Sequence, residues 1–234
     1  MEQMMEFMKG LDWSPLLISL KTGVVATILS FFGGIYAARQ VVKAGPKTKA
    51  VMDGILTLPM VLPPTVAGFF LLLIFSVRRP FGAALYGNFG IKVVQTWLGC
   101  ILAATVIAFP LMYRNARAAF EQVEANLVYA ARTLGMSEIK IFWKVVIPSA
   151  GPGILSGTIL TFARAMGEYG ATSMLAGNIL GKTRTVSVAI AAETAAGNYD
   201  VAGFWVVVIV LISFVIVALI NIVSGRGMKS RRWI

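Results

Sequence analysis

Residues 204–223 read FWVVVIVLISFVIVALINIV, twenty positions without one charge. A helix needs about 20 predominantly apolar residues to cross the hydrocarbon core of a bilayer, and this run has them. Arg226, Lys229, Arg231 and Arg232 close it. Working back toward the N-terminus, residues 14–38, 55–75, 93–112 and 148–166 form four more such stretches, separated by short polar or basic segments. The second is interrupted by Leu62-Pro63-Pro64-Thr65, and Lys21, near one end of the first, reads as a snorkelling side chain. Residues 167–203 are moderately apolar but broken by Gly177, Gly181 and Gly197. They read as helices within or against the bundle, with one full additional span as the alternative. The expected fold class is all-α: a polytopic transmembrane bundle of five clear spans plus a broken or short sixth element, in a single domain over 1–234.

Composition agrees. Of the 234 residues 58% are hydrophobic and 13% charged, with a mean hydropathy of +0.80, whereas soluble domains carry about 25% charged residues. The chain has no histidine and a single cysteine, Cys100, inside an apolar run. That weighs against Ser-His-Asp and Cys-His nucleophiles and against thiolate–imidazole metal sites. No GxxxxGK[ST] loop is present, so ATP should not bind here directly. Met1–Lys9 carries Glu2 and Glu6 and lacks the features of a signal peptide.

A formal charge of +11 could suggest nucleic acid, but the cations sit in short clusters between apolar runs. That is the pattern of cytoplasmic loops. Putting 39–49, 114–144 and 226–232 on one side gathers thirteen of the 21 Lys and Arg there. The expected topology is an external N-terminus and a cytoplasmic C-terminus in the cell membrane. Arg78, Arg79 and Lys92 remain on the other side.

Residues 118–143 are too charged to span and read as a helical segment at the membrane surface. Within them Ala130-Ala131-Arg132-Thr133-Leu134-Gly135 is followed, nine residues on, by Val145-Val146-Ile147-Pro148. This stretch resembles the EAA motif of ABC importer permeases. Ala130, Ala131, Gly135 and Pro148 fall in register, Val145 and Ile147 are conservative replacements, and Tyr129 stands at the Glu position. Glu124 precedes it by about a turn and a half. Physically, a short helix of small residues ending in glycine can enter a groove on a partner, and the proline starts a new helix at its first turn. The resemblance makes 118–148 a cytoplasmic coupling segment and Ala130, Ala131, Arg132, Gly135 and Pro148 its contacts with an ATPase. The alternative is an ordinary interfacial amphipathic helix.

The resemblance extends further. Ser19-Leu20-Lys21, residues 58–68 (LPMVLPPTVAG), Phe109-Pro110-Leu111-Met112, residues 162–172 (FARAMGEYGAT), Gly177-Asn178-Ile179 and Thr183-Arg184-Thr185 look like the molybdate/tungstate importer permeases. Sulfate/thiosulfate permeases carry a similar stretch at 162–168 and form the alternative. The resemblance implies the type I importer permease fold, a homodimer, two cytoplasmic ATP-binding subunits that hold ATP and Mg²⁺, an external binding protein and an oxyanion substrate.

Arg164 and Glu168, four apart, share a helix face. They read as a salt bridge or as a gate for a dianion, with Glu168 as the partner of Arg164 rather than a ligand. A charge swap should tell the two apart. Thr172, Ser173 and Asn178 offer neutral donors, or are caps and turn bonds. Pro63, Pro64 and Thr65 free backbone groups in the second span, or mark a plain kink. An ion-coupled secondary transporter, the rival from another class, should show matched internal repeats. No second copy of the Pro-Pro span or of the whole Ala130–Gly135 block exists. A membrane enzyme lacks a convergent acid, base and nucleophile set.

Overall fold

Asp12 starts the first helix: its carboxylate accepts hydrogen bonds from the Ser14 N–H at 2.9 Å and the Ser14 hydroxyl at 2.7 Å. Pro15 fits the first turn, where no N–H is needed. In this computed structural model, which describes residues 11–229 and gives the helix beyond Ala218 by its backbone alone, α1 runs Ser14–Lys43. Its 30 residues cover about 45 Å at 1.5 Å each. The readings placed on Met1–Lys9 and on Arg231-Arg232 lie outside the described residues.

Gly45-Pro46 turns the chain into α2 (Pro46–Val61), which is followed by α3 (Pro64–Phe75). Here the structure departs from a single span over 55–75. Leu62 (ψ 143°) and Pro63 (ψ 133°) are both extended, because a residue preceding proline is driven out of the helical region. Two prolines in succession therefore unwind two residues, and the helices meet at a 106° bend. A short helix α4 (Pro80–Phe89) leads to α5 (Trp97–Glu121), which starts four residues after the expected span and runs on through Arg114 and Arg117. The surface helix α6 (Ala125–Thr133) follows.

The next helix, α7 (Glu138–Met166), begins ten residues before Pro148. Proline was expected to start this helix. It does stand in the first turn of the α-helical part, Ile147–Met166, but that part continues from Glu138 through a π turn over Phe142–Val146, in which the Ile147 N–H donates to the Phe142 carbonyl, five residues back. Such a turn shifts the hydrogen-bond register just where the proline has no N–H to give. Finally come α8 (Gly170–Leu175), α9 (Val186–Ala195) and α10 (Tyr199–Lys229). α8 and α9 are too short to cross a bilayer, so 167–203 adds no span and packs within the bundle. Among the described residues four helices are long and apolar enough to span, or five if the bent pair counts as one.

The centre of the bundle is α1, α5 and α7. Lipid tails are as apolar as leucine, so close approach of small residues holds such helices together. α1 accordingly buries Gly23, Ala26, Thr27, Ser30, Gly34 and Ala38 against Ala104, Ala108 and Met112 of α5 and Ala165 of α7. Trp205 of α10 is buried against Val186 and Ala189 of α9. The outward faces keep large apolar side chains such as Phe32, Tyr36, Leu211 and Phe214 exposed, as a lipid-facing surface requires.

Candidate coupling and translocation site

The expected site residues fall into two groups. The coupling group gathers where α1 and α5 end and α7 begins. α6 stops as its sequence predicts: Gly135 is in the left-handed region at φ +72°. The Gly135 N–H reaches the Arg132 carbonyl at 2.9 Å and the Met136 N–H reaches the Ala131 carbonyl at 3.1 Å. This is the paired-bond end that glycine permits without a Cβ penalty. Arg132 then reaches over the turn to Glu138, with Nε to Oε1 at 2.7 Å and Nη2 to Oε2 at 3.3 Å. The carboxylate raises Arg132 above its ordinary pKa, and its hydrogen bond is the main cause. Ala131 is buried and ties α6 to the bundle, while Tyr129, Ala130 and Leu134 are exposed. Leu134 is 80% exposed at the end of α6. Tyr129, at the Glu position of the motif, lies under the Arg132 guanidinium at 5.9 Å. Glu124 is exposed and immediately precedes α6, and Pro148 is exposed on α7.

A charged network that the sequence reading did not assemble joins α2 to α5 at the same end. Lys49 pairs with Glu121 at 2.6 Å, Arg117 with Glu121 at 3.0 Å, and Arg117 and the Tyr113 hydroxyl both contact Asp53. The available signal was Asp53 itself, an acid set between the basic loop and an apolar run. Its partner lies 64 positions on, beyond any local pattern. Replacing Arg117 with alanine leaves Asp53 with the Tyr113 hydroxyl and Glu121 with Lys49, and the loss of its hydrogen bonds to charged groups should cost about 1.5–3 kcal/mol. Thermal unfolding of the detergent-purified protein checks this. Asp53→Asn added to Arg117→Ala should restore part of the loss, because it neutralises the carboxylate that has lost its arginine.

The second group surrounds α8. Glu168 is 2% exposed. One of its oxygens takes Arg164 Nη1 at 2.9 Å, and the other takes the Ala171 N–H at 2.7 Å. The pair expected from the four-residue spacing is thus formed, with the carboxylate also capping the start of α8. The broken span meets the same place. A Cβ on Gly170 would lie 2.9 Å from Pro64 Cβ, and one on Gly68 would lie 2.6 Å from Ala171 Cα. Only glycine at 68 allows α3 this close to α8. Pro64 and Gly68 of α3 thus meet Gly170 and Ala171 of α8, and Glu168 adjoins them through its bond to Ala171 and carries Arg164 with it, while Pro63 and Thr65 are exposed. Thr172 is buried, and the Ser173 hydroxyl donates to the Gly170 carbonyl at 3.1 Å. Asn178 is exposed, in a loop that Thr183 Oγ1 braces by accepting the Ile179 N–H at 3.0 Å. Of the three neutral donors, Asn178 alone faces outward.

The helix bundle has the overall fold of solved transporters. An inward-facing MetNI methionine ABC transporter matches with a TM-score of 0.68 at 18% identity, over 94% of this chain and 95% of that one. An amino acid ABC transporter matches with a TM-score of 0.64 at 17% identity, over 91% and 92%. The fold is that of type I ABC importer permeases. The family model described as "Binding-protein-dependent transport system inner membrane component" matches residues 30–226, and the chain belongs to that family. It is a multi-pass membrane protein. The molybdenum transport system permease protein ModB of Escherichia coli (strain K12) is 43% identical over 179 residues, 76% of this chain and 78% of that protein. ModB of Haemophilus influenzae is 35% identical over 180 residues, covering 77% and 79%. The sulfate transport system permease protein CysT of Salmonella typhimurium is 32% identical over 209 residues, covering 89% and 75%.

Proposed function

We propose that this chain is the membrane-spanning subunit of an ABC importer for molybdate and tungstate. It works as a homodimer with two cytoplasmic ATP-binding subunits and an external binding protein. ATP and Mg²⁺ belong to the partner subunits. The observation that carries the substrate class is the 43% identity to the molybdenum permease, against 32% for the sulfate permease. In operation, closure of the ATP-binding dimer pushes α6 and, through the adjoining helices, rocks the bundle between inward- and outward-facing states. A tetrahedral dianion passes from binding protein to cavity to cytosol. Contacts along the way stay weak, since tight binding would slow release.

Discrimination against sulfate falls to the binding protein, whose buried donors can reject a misfitting oxyanion. Reconstituted complex with its own binding protein should take up labelled molybdate, with tungstate competing and sulfate competing poorly. Sulfate uptake that excess molybdate fails to suppress would overturn the substrate and leave the importer class standing.

Orientation rests on charge. Arg39, Lys43 and Arg132 line one cavity at the α6 end, and the basic-loop rule makes that end cytoplasmic. Reporter fusions at Lys47 and Ala125 should give cytoplasmic signals, and one at Gly87 an external signal. An external Ala125 would remove α6 from the reach of any ATP-binding subunit.

A further inference from the structure

The end of the bundle that carries α6 holds a cavity of about 220 Å³. It is enclosed by the last turn of α1, the end of α5, α6 and the first turns of α7. Its floor is apolar: Phe120 and Phe142 meet edge to face at 5.7 Å, and Val123 and Ile141 join them. Its charged wall is Arg39, Lys43, Arg132 and Glu138, a net excess of two positive charges. Glu138 is held by Arg132 through two hydrogen bonds. Arg39 and Lys43 have no ion-pair partner among the described residues. They sit one turn apart on one face of α1, with the Arg39 guanidinium 4.2 Å above the Phe142 ring.

Depth in the membrane identifies what meets these cations. Residues 22–38 of α1 carry no charge. The eighteen-residue step from Lys21 to Arg39 spans about 27 Å, close to the roughly 30 Å of a hydrocarbon core. Tyr36, 66% exposed and three residues before Arg39, and Trp143, 60% exposed beside Phe142, flank the cavity. Such amphipathic rings settle at the headgroup level. An apolar floor, a net excess of two positive charges and aromatic flanks at that depth are complementary to a phosphodiester that arrives with its acyl chains.

We propose that this cavity is a site for an anionic phospholipid of the adjoining leaflet. The headgroup phosphate lies against Arg39 and Lys43, and the acyl chains run along the exposed Phe32–Tyr36 face of α1. Val128 and Arg132 place α6 on the cavity wall, so the lipid would brace the surface helix against the bundle. This inference stands apart from the identity of the transported substrate.

The test is native mass spectrometry of the assembled, detergent-purified transporter titrated with phosphatidylglycerol, phosphatidylcholine or glycerol phosphate. Phosphatidylglycerol should be retained preferentially, and Arg39→Gln with Lys43→Gln should weaken retention about thirty-fold, as expected for two basic residues at a membrane surface. Lys21→Gln, at the opposite end of α1, should leave retention unchanged. Equal retention of the two lipids, no loss in the double variant, or glycerol phosphate binding as tightly as the lipid would each overturn the proposal. A second measurement leaves both cations in place. In proteoliposomes, brominated phosphatidylglycerol should quench the Trp143 fluorescence (the signal lost in Trp143→Phe) more than brominated phosphatidylcholine does. Equal quenching would count against the site. So would a photoreactive side chain at Val128 that crosslinks to an ATP-binding subunit and never to lipid.

Discussion

Aspartate in place of Gly135 is expected to leave the protein in the membrane and to stop uptake. The backbone there is left-handed, at φ +72°, a conformation that Asn and Asp visit more readily than other non-glycine residues. A Cβ at this position meets nothing within 4 Å in the chain itself. The fold should therefore tolerate the substitution at a cost of about 1 kcal/mol. If α6 is the coupling element proposed above, the carboxylate would be enclosed against an ATP-binding subunit, and an unpaired charge at an interface costs about 2–5 kcal/mol, thirty-fold or more in affinity. Gly135→Asn, of nearly the same shape and with the same backbone tolerance, should retain most of the association. Copurification of the ATP-binding subunit, read beside uptake, separates the two variants. Normal association and uptake in Gly135→Asp would end the assignment of α6 as the coupling element.

The existence of the long helices was legible because charge is so scarce within them. Their ends were not, for a physical reason. Charged residues usually stop a span, and Arg114 and Arg117 set the expected limit of 93–112 on that ground. In the structure α5 continues to Glu121, because Arg117, Glu121, Lys49 and Asp53 neutralise one another between two helices. A local pattern contains the charges and not the partners that reach them from α2. Pro148 marked the first turn of the α-helical part, Ile147–Met166, but not the π turn that joins that part to Glu138–Ile141. The Pro63-Pro64 break could be read as an interruption. Its 106° angle could not, because it depends on α3 lying against α8 through Gly68 and Gly170.

The two halves of the candidate site differed in the same respect. The end of α6 is a local matter of six residues, Ala130 to Gly135, and the glycine that closes the EAA-like motif predicted it. The layer around α8 is assembled from three separate segments. Sequence named its members and paired Arg164 with Glu168, but it did not show that Thr172 points inward or that Glu168 serves a second donor. That second bond changes which experiment is informative.

Glu168→Ala should be among the most damaging single changes, and a Glu168–Arg164 exchange should fail whichever role the pair has. Glu168 Oε1 accepts the buried Ala171 N–H, and an arginine at 168 can only donate. Loss of rescue in the exchanged protein therefore says nothing about the pathway. Removing the carboxylate leaves a buried donor without an acceptor, at about 1–3 kcal/mol, several degrees in Tm for a chain of this size. It also leaves Arg164, whose side chain is 37% exposed, without its counter-charge. Glutamine at 168 keeps an acceptor for Ala171 and discards only the charge, and Arg164→Gln then removes the matching cation. The double glutamine variant is thus neutral and retains the cap on α8. Replacing both partners of a buried pair is usually far milder than replacing one. It should assemble with Tm close to the parent, whereas Glu168→Ala should not. Uptake then decides what Arg164 does. If the guanidinium meets the passing dianion through its exposed portion, the double variant assembles and does not transport. Substantial uptake by that variant would make Arg164 and Glu168 a structural pair and nothing more.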